Sequence, residues 1–217
     1  MKTKLYQFSL KEREKTAKIL EQVAGVLAKG GIAAIPTETC YSLAIDPTNN
    51  EAAEKLNRLG VVPGLTNPII VSDLRMAKEY MVVNEFAEHI ANSFMPGPVT
   101  LVVELLPNTT LSKSVFPERA SFRISSNVFT RALASELGKP ITVSILPNTP
   151  IYSLKELCDR FEGKLDVIVS SGDLPQVLPS TVVDVCTMEP KLIRQGPIPF
   201  SEITLLASKL VATVSQM

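Results

Sequence analysis

Short apolar runs of strand length alternate with longer amphipathic segments along almost the whole chain, and this alternation restricts the fold more than any other feature. Residues 11–29 carry Ile19, Val23, Val26 and Leu27 at helical spacing, and Gly30-Gly31 closes the segment as a C-terminal cap would. The buried run Ile32-Ala33-Ala34-Ile35 then stops at Pro36 and reads as a strand. Asn50 to Leu59 reads as a helix that Asn49 or Asn50 can cap. A loop from Gly60 to Pro68 leads into the strand Ile69-Ile70-Val71. Helices around Leu74 to Tyr80 and Asn84 to Phe94 end at Met95-Pro96-Gly97-Pro98, and Val99 to Leu105 is the clearest β run. The second half predicts strands at 121–125, 141–145, 167–169, 181–185 and 191–194. Between and after them it predicts helices at 128–137, 154–161 and from Ser201 onward, the last reaching about residue 215. No linker, repeat or compositional break interrupts the series. One α/β domain spanning 1–217, built on a mixed sheet, is the expected architecture.

Composition removes several function classes. A hydrophobic fraction of 45% over 217 residues is enough to bury a core without disulfides or a structural metal. The 22 basic and 22 acidic residues cancel, so any anion affinity must come from local placement. Cys40, Cys158 and Cys186 are odd in number and contain no CxxC pair, which suits a reducing compartment and supplies no zinc site. His89 is the only histidine and sits in a helical pattern, where a surface role is expected. The N-terminus has no apolar h-region, and no apolar run approaches the roughly 20 residues of a spanning helix. A cytoplasmic protein that makes no use of a membrane is expected.

The common phosphate and nucleophile signatures are missing: there is no GxxxxGK[ST], no GxGxxG after a strand and no GxSxG. Four other places could carry chemistry. Pro36-Thr37-Glu38-Thr39-Cys40-Tyr41-Ser42-Leu43 sets hydroxyls just beyond a buried strand, where they can bond a small polar ligand or phosphate oxygens. Met95-Pro96-Gly97-Pro98 makes a rigid turn before Val99-Thr100-Leu101. Ser180-Thr181-Val182-Val183-Asp184 opens a β-branched strand with a hydroxyl pair, and Arg194 ends a strand beside Gly196. Each has an ordinary structural explanation: turn, punctuation, strand former or solvated arginine. An arginine fork suits carboxylate or phosphate, so gathering Arg58, Arg119, Arg123, Arg131 and Arg194 at one place would mark an anion site.

Taken in order, these blocks resemble the YrdC/YciO family from about residue 30 to 198. Gly30 to Leu43 is similar to the family opening GGxxxxPT[DE]TxYGL, and Met95 to Leu101 to its WPGPLTL. Phe122-Arg123-Ile124 resembles its VRxP strand, Ser180 to Asp184 its STVVD, and Arg194-Gln195-Gly196-Pro197-Ile198 its RxGxI. The resemblance implies a single YrdC-like domain: a twisted sheet of mixed parallel and antiparallel strands, flanked by helices, with a concave ligand cavity. It implies synthesis of threonylcarbamoyl-AMP from L-threonine, bicarbonate and ATP with Mg2+, feeding a tRNA modification. It also implies roles by position. Thr37, Arg123 and Ser180 would bind threonine, with Arg123 on its carboxylate. Arg58, Asn67, Ser144, Asn148 and Arg194 would lie on the nucleotide side, Arg194 against its phosphates.

The pattern breaks on the nucleotide side. The family's KxR pair before NPL falls on Arg58 and Gly60 in one alignment, and on Gly60 and Val62 in another. Each missing charge-assisted contact to ATP would cost roughly 1.5–3 kcal/mol. The SxN motif is not kept at its spacing in Thr142-Val143-Ser144-Ile145-Leu146-Pro147-Asn148. Ser72 stands for the family's histidine and Ser42 for its glycine. Two functions follow from the resemblance: a divergent synthase, or a non-catalytic relative that binds a nucleotide, an amino-acid-like ligand or double-stranded RNA. Direct contact with tRNA-modification proteins is a further expectation.

Overall fold

The computed structural model describes residues 2–61, 64–113, 115–144 and 150–214. The chain runs β1 (Lys4–Gln7), α1 (Arg13–Ala28), β2 (Ala33–Pro36), β3 (Tyr41–Ile45), α2 (Asn50–Arg58), β4 (Ile69–Ile70), α3 (Leu74–Tyr80), α4 (Glu85–Phe94) and β5 (Val99–Glu104). It continues β6 (Arg119–Arg123), α5 (Val128–Leu137), β7 (Ile141–Ser144), α6 (Leu154–Phe161), β8 (Val167–Ser170), β9 (Thr181–Asp184), β10 (Lys191–Arg194) and α7 (Phe200–Val214). The strands join one sheet in the order β1-β8-β2-β3-β7-β4-β6-β5-β9-β10. Pairs β1–β8, β2–β8, β4–β6 and β5–β9 are parallel and the others antiparallel. The predicted mixed α/β sheet is what forms.

Local chemistry explains the element ends. Asn49, Asp73, Asn84 and Asn127 each precede a helix, and their side chains accept from the backbone N–H groups of Ala52, Met76, Ala87 and Thr130, which the helix leaves unpaired. α5 ends on Gly138 at φ 67°, the left-handed conformation that glycine adopts without Cβ strain. Two strands are additional to those expected. β1 is short and mostly exposed, and it is fixed by its pairing with β8 rather than by its own pattern. β3 lies in the hydroxyl-rich segment read as a loop. Pro36 pairs with Tyr41, so residues 37–40 are the tip of a hairpin.

The two faces of the sheet carry separate cores. Strand side chains alternate, so Ile69 enters the larger core with Leu43, Leu101, Phe122, Phe86 and Phe116, whereas Ile70 enters a smaller one with Val23, Leu27, Ile35, Phe129 and Leu133. α1 packs on α5 over the smaller core. The cap of α5 and the hairpin tip meet there, because the Thr130 hydroxyl donates to the Pro36 carbonyl. Among the described residues, no helix is long and apolar enough to cross a membrane.

Candidate functional site

The smaller core takes only part of its face of the sheet. On the rest, the same alternation presents polar side chains. Arg123 pairs with Ile70 and Ser42 with Ile35, which puts both on the α1–α5 face; Thr100 lies one residue from the core residue Leu101 and so faces away from the larger core. Ser42, Thr100, Ser121 and Arg123 are all buried.

The hairpin tip closes over this face. The Thr37 hydroxyl donates to the Cys40 carbonyl at 2.7 Å and accepts from the N–H groups of Thr39 and Cys40, each at 3.1 Å. One hydroxyl thus makes three of the turn's hydrogen bonds, and the Thr37 N–H donates a fourth to the Cys40 carbonyl at 3.1 Å. Glu38 is directed toward the start of α5, where it accepts from the Ser125 hydroxyl and from the Ser126 N–H at 3.2 Å. Its Oε1 lies 3.7 Å from Arg123 Nη1. Ser125 is itself held, its carbonyl accepting from Arg131 Nη1 at 2.6 Å.

The other wall comes from β9 and β10. The Ser180 hydroxyl is 2.9 Å from that of Thr100. Arg194 donates from Nε to the Ser180 carbonyl at 3.1 Å, from Nη2 to the Ser180 hydroxyl at 3.2 Å and from Nη1 to the Thr66 carbonyl at 3.2 Å. Gly196 makes this approach possible. A Cβ there would stand 2.3 Å from the Pro179 carbonyl oxygen and the Thr181 nitrogen.

Mutual electrostatics tie the walls together. Burial lowers the pKa of Arg194, and the neighbouring Arg123 lowers it further. Burial pushes the Cys40 thiol up, against hydrogen bonds from Ser42 and Thr39 and the charges of Arg123 and Arg194. Thr37, Glu38, Cys40, Arg123, Ser180 and Arg194 thus form one cluster. It holds two guanidiniums and one carboxylate. Among the described residues Arg194 has no carboxylate partner, its hydrogen bonds going to carbonyl and hydroxyl oxygens, and the buried Nε of Arg123 has no hydrogen-bond partner. Such a cluster can bind and orient an anion. His89 is exposed on α4, away from any such role.

Of the residues expected from the sequence, Thr37, Arg123, Ser180 and Arg194 meet in the cluster. Asn67 is next to it, following Thr66, and its N–H donates to Gly64 O at 2.9 Å. Ser144 is placed differently. It pairs with Leu43, so its unpartnered hydroxyl faces the larger core, on the opposite side of the sheet from Arg123. Arg58 is set apart: its side chain is 74% exposed and pairs with Glu54 at 3.5 Å. It lines a cavity of about 240 Å³ with Ile32, Lys55, Lys164 and Asp166. Ile32 and Thr37 flank β2 at opposite ends, roughly 16 Å apart at the strand rise. The reason is helical phase: Arg58 ends α2 on its solvent side, whereas Ala52, Ala53 and Leu56 take the buried side. Asn148 lies outside the described residues. Of the five arginines, Arg119 is also elsewhere, bonded to Asp184 at 2.7 Å.

The sequence pattern of the Sua5/YciO/YrdC family, described as "Telomere recombination", matches residues 25–196. The chain belongs to this family. A Haemophilus influenzae protein is 29% identical over 189 residues, covering 83% of this chain and 90% of its own. YciO of Escherichia coli K12 is 27% identical over 187 residues, covering 82% and 89%. The crystal structure of E. coli YciO superposes with a TM-score of 0.80 at 22% identity, over 93% of this chain and 99% of that one. P. abyssi Sua5, in a crystal structure with L-threonine, superposes with a TM-score of 0.79 at 22% identity, over 95% of this chain. This chain spans 61% of that Sua5 chain. These superpositions fix the Sua5/YciO/YrdC fold.

Some residues in or beside the cluster are not among those the sequence marks as candidates. Glu38 lies within the segment 36–43, whose hydroxyls are its clearer chemical signal. Thr100 is one polar residue in the apolar strand Val99–Glu104, and that interruption was its available signal. Cys40 lies in that same segment 36–43, and Ser125 follows the Phe122-Arg123-Ile124 run without a signal of its own.

Proposed function

We propose that the chain is a divergent L-threonylcarbamoyladenylate synthase-like protein acting in threonylcarbamoyladenosine modification of tRNA. The observation that carries this reading is the neighbouring pair of buried Arg123 and half-buried Arg194, beside which Glu38 is the one carboxylate of the cluster. A carboxylate on Arg123 gives that guanidinium the close anionic partner that Glu38, at 3.7 Å, does not, and a phosphate on Arg194 gives the other guanidinium one. The complex of P. abyssi Sua5 with L-threonine supports an amino acid as the carboxylate ligand.

The chemistry asks little of side chains as nucleophiles. The amine of threonine adds to the carbon of CO2 derived from bicarbonate, releasing a proton and leaving a carbamate. A carbamate oxygen attacks the α-phosphorus of ATP, forming the acyl phosphate bond as the bond to pyrophosphate breaks. Mg2+ accompanies ATP as its phosphate complex. In this scheme Thr37 holds the turn beside the amino acid, Ser180 bonds the amino acid, and Arg194 meets phosphate charge as it develops.

A second reading has one observation in its favour. Arg58 is turned to solvent at the far end of β2 and supplies no charge to the cluster. A relative that kept the amino-acid side of the site and lost the triphosphate side would look like this. Incubation of pure protein with L-threonine, bicarbonate, ATP and Mg2+, followed by mass spectrometry, separates the two. Threonine-dependent threonylcarbamoyl-AMP supports the synthase. Threonine binding without product supports the non-catalytic relative.

A further inference from the structure

The ion pair of Glu38 and Arg123 is buried but open. The Arg123 side chain is 3% exposed and that of Glu38 14%, yet their closest approach is 3.7 Å, beyond hydrogen-bond length. A closed arginine–carboxylate pair lies near 2.7–2.9 Å. On the arginine, Nε has no partner. On the carboxylate, Ser125 and Ser126 supply hydrogen bonds to one oxygen each, which leaves lone pairs unused on both. Arg194, the neighbouring cation, has no carboxylate partner among the described residues. A desolvated pair held open in this way is unfavourable until something completes it.

We infer that Glu38 is the residue that recognises the amine of the ligand, so that the site selects a zwitterionic α-amino acid over a plain carboxylate. This rests on the amino-acid reading above. The ligand carboxylate lies on Arg123 Nε, within the field of Arg194, and its ammonium lies on the free lone pairs of Glu38. Charges then alternate: guanidinium, carboxylate, ammonium, carboxylate. Every desolvated charge has an opposite neighbour. A ligand with the carboxylate alone places a second negative charge beside Glu38 and leaves Glu38 uncompensated, which selects against it. Glu38 acts as a specificity residue. Its hydrogen bonds to Ser125 and Ser126, at the start of α5, hold it in place for that role.

The test compares L-threonine with (R)-3-hydroxybutyrate, the same molecule without its amine, by calorimetric titration of wild type and Glu38→Gln. Wild type binds threonine tighter by roughly tenfold or more, the scale of one charge-assisted hydrogen bond. Glu38→Gln keeps the shape and brings the ratio of the two affinities close to one. A ratio close to one in wild type overturns the inference, as does an unchanged threonine preference in Glu38→Gln. A merely structural Glu38 would weaken both ligands together and leave the ratio alone. If Glu38→Gln does not fold, Glu38→Asp, which keeps the charge and shortens its reach, takes its place: a reduced threonine preference is expected, and an unchanged one overturns the inference. Binding of neither ligand by wild type overturns the amino-acid reading and this inference together; equal binding of both overturns this inference alone.

Discussion

Replacing Arg194 with alanine distinguishes a ligand-binding arginine from a structural latch. Three hydrogen bonds disappear, two to Ser180 and one to the carbonyl of the exposed residue Thr66. The bonds to buried Ser180 are worth about 1 kcal/mol each, and the solvent-facing one less. Against that loss, the substitution removes a desolvated cation that stands beside Arg123, the same burial and repulsion that lower its pKa. The two effects nearly cancel, so stability should fall by roughly 0–1 kcal/mol. Binding of a phosphate ligand has no such offset. Loss of the fork should weaken MgATP by about 2–3 kcal/mol, or about 30- to 150-fold in Kd. Arg194→Lys should fall between, since it keeps the charge and loses the planar fork. Urea denaturation reads the first quantity and calorimetric titration the second. A stability loss above about 2 kcal/mol with unchanged MgATP affinity would refute the reasoning and make Arg194 a latch between β9 and residue 66.

Arg58→Ala should change stability by no more than about 0.5 kcal/mol, since it removes only an exposed helical ion pair, and should leave MgATP affinity unchanged. A tenfold loss of affinity would return Arg58 to the site. Gly196→Ala should cost about 2 kcal/mol or more, because the new methyl meets backbone that cannot move without parting β9 from β10. A denaturation midpoint equal to that of wild type would show the approach to be soft. The Cys186 thiol is pushed up to about 11, first by burial and then by Asp184. A raised thiol pKa keeps the proton on sulfur, so alkylation at pH 8 should run about 100-fold slower than at an unperturbed thiol and accelerate steadily toward pH 11. A rate that is flat above pH 9 would contradict that assignment.

The elements whose signal is local were readable. α3, α5 and α6 match the expected spans because asparagine or aspartate caps, a left-handed glycine and amphipathic spacing all act within a few residues. β1 was not readable, since its strand partner is β8, more than 160 residues away in the chain. β3 was hidden because its first residues belong to a hydroxyl-rich motif, and the reversal at 37–40 depends on Thr37 bonding its own turn. The site followed the same division. Thr37, Arg123, Ser180 and Arg194, which motif order groups, lie in one cluster, because that order carries three-dimensional information that no single segment holds. Ser144 and Arg58 lie outside the cluster because a motif position does not state which face of a sheet, or which side of a helix, a side chain takes. Glu38 was passed over for a related reason. Its part depends on Arg123, Ser125 and Ser126, all distant in sequence.

Strand β6 serves two masters with consecutive residues: Phe122 fills the larger core, and Ser121 and Arg123 face the site. Because side chains alternate, inserting or deleting one residue there would drive the arginine into the apolar interior and turn the phenylalanine out. The strand cannot drift in length. Lineages can therefore alter what this face of the sheet presents by exchanging residues in place, while changes of length are confined to the connections between strands. Relatives should differ in their loops long before they differ in the spacing of Phe122 and Arg123.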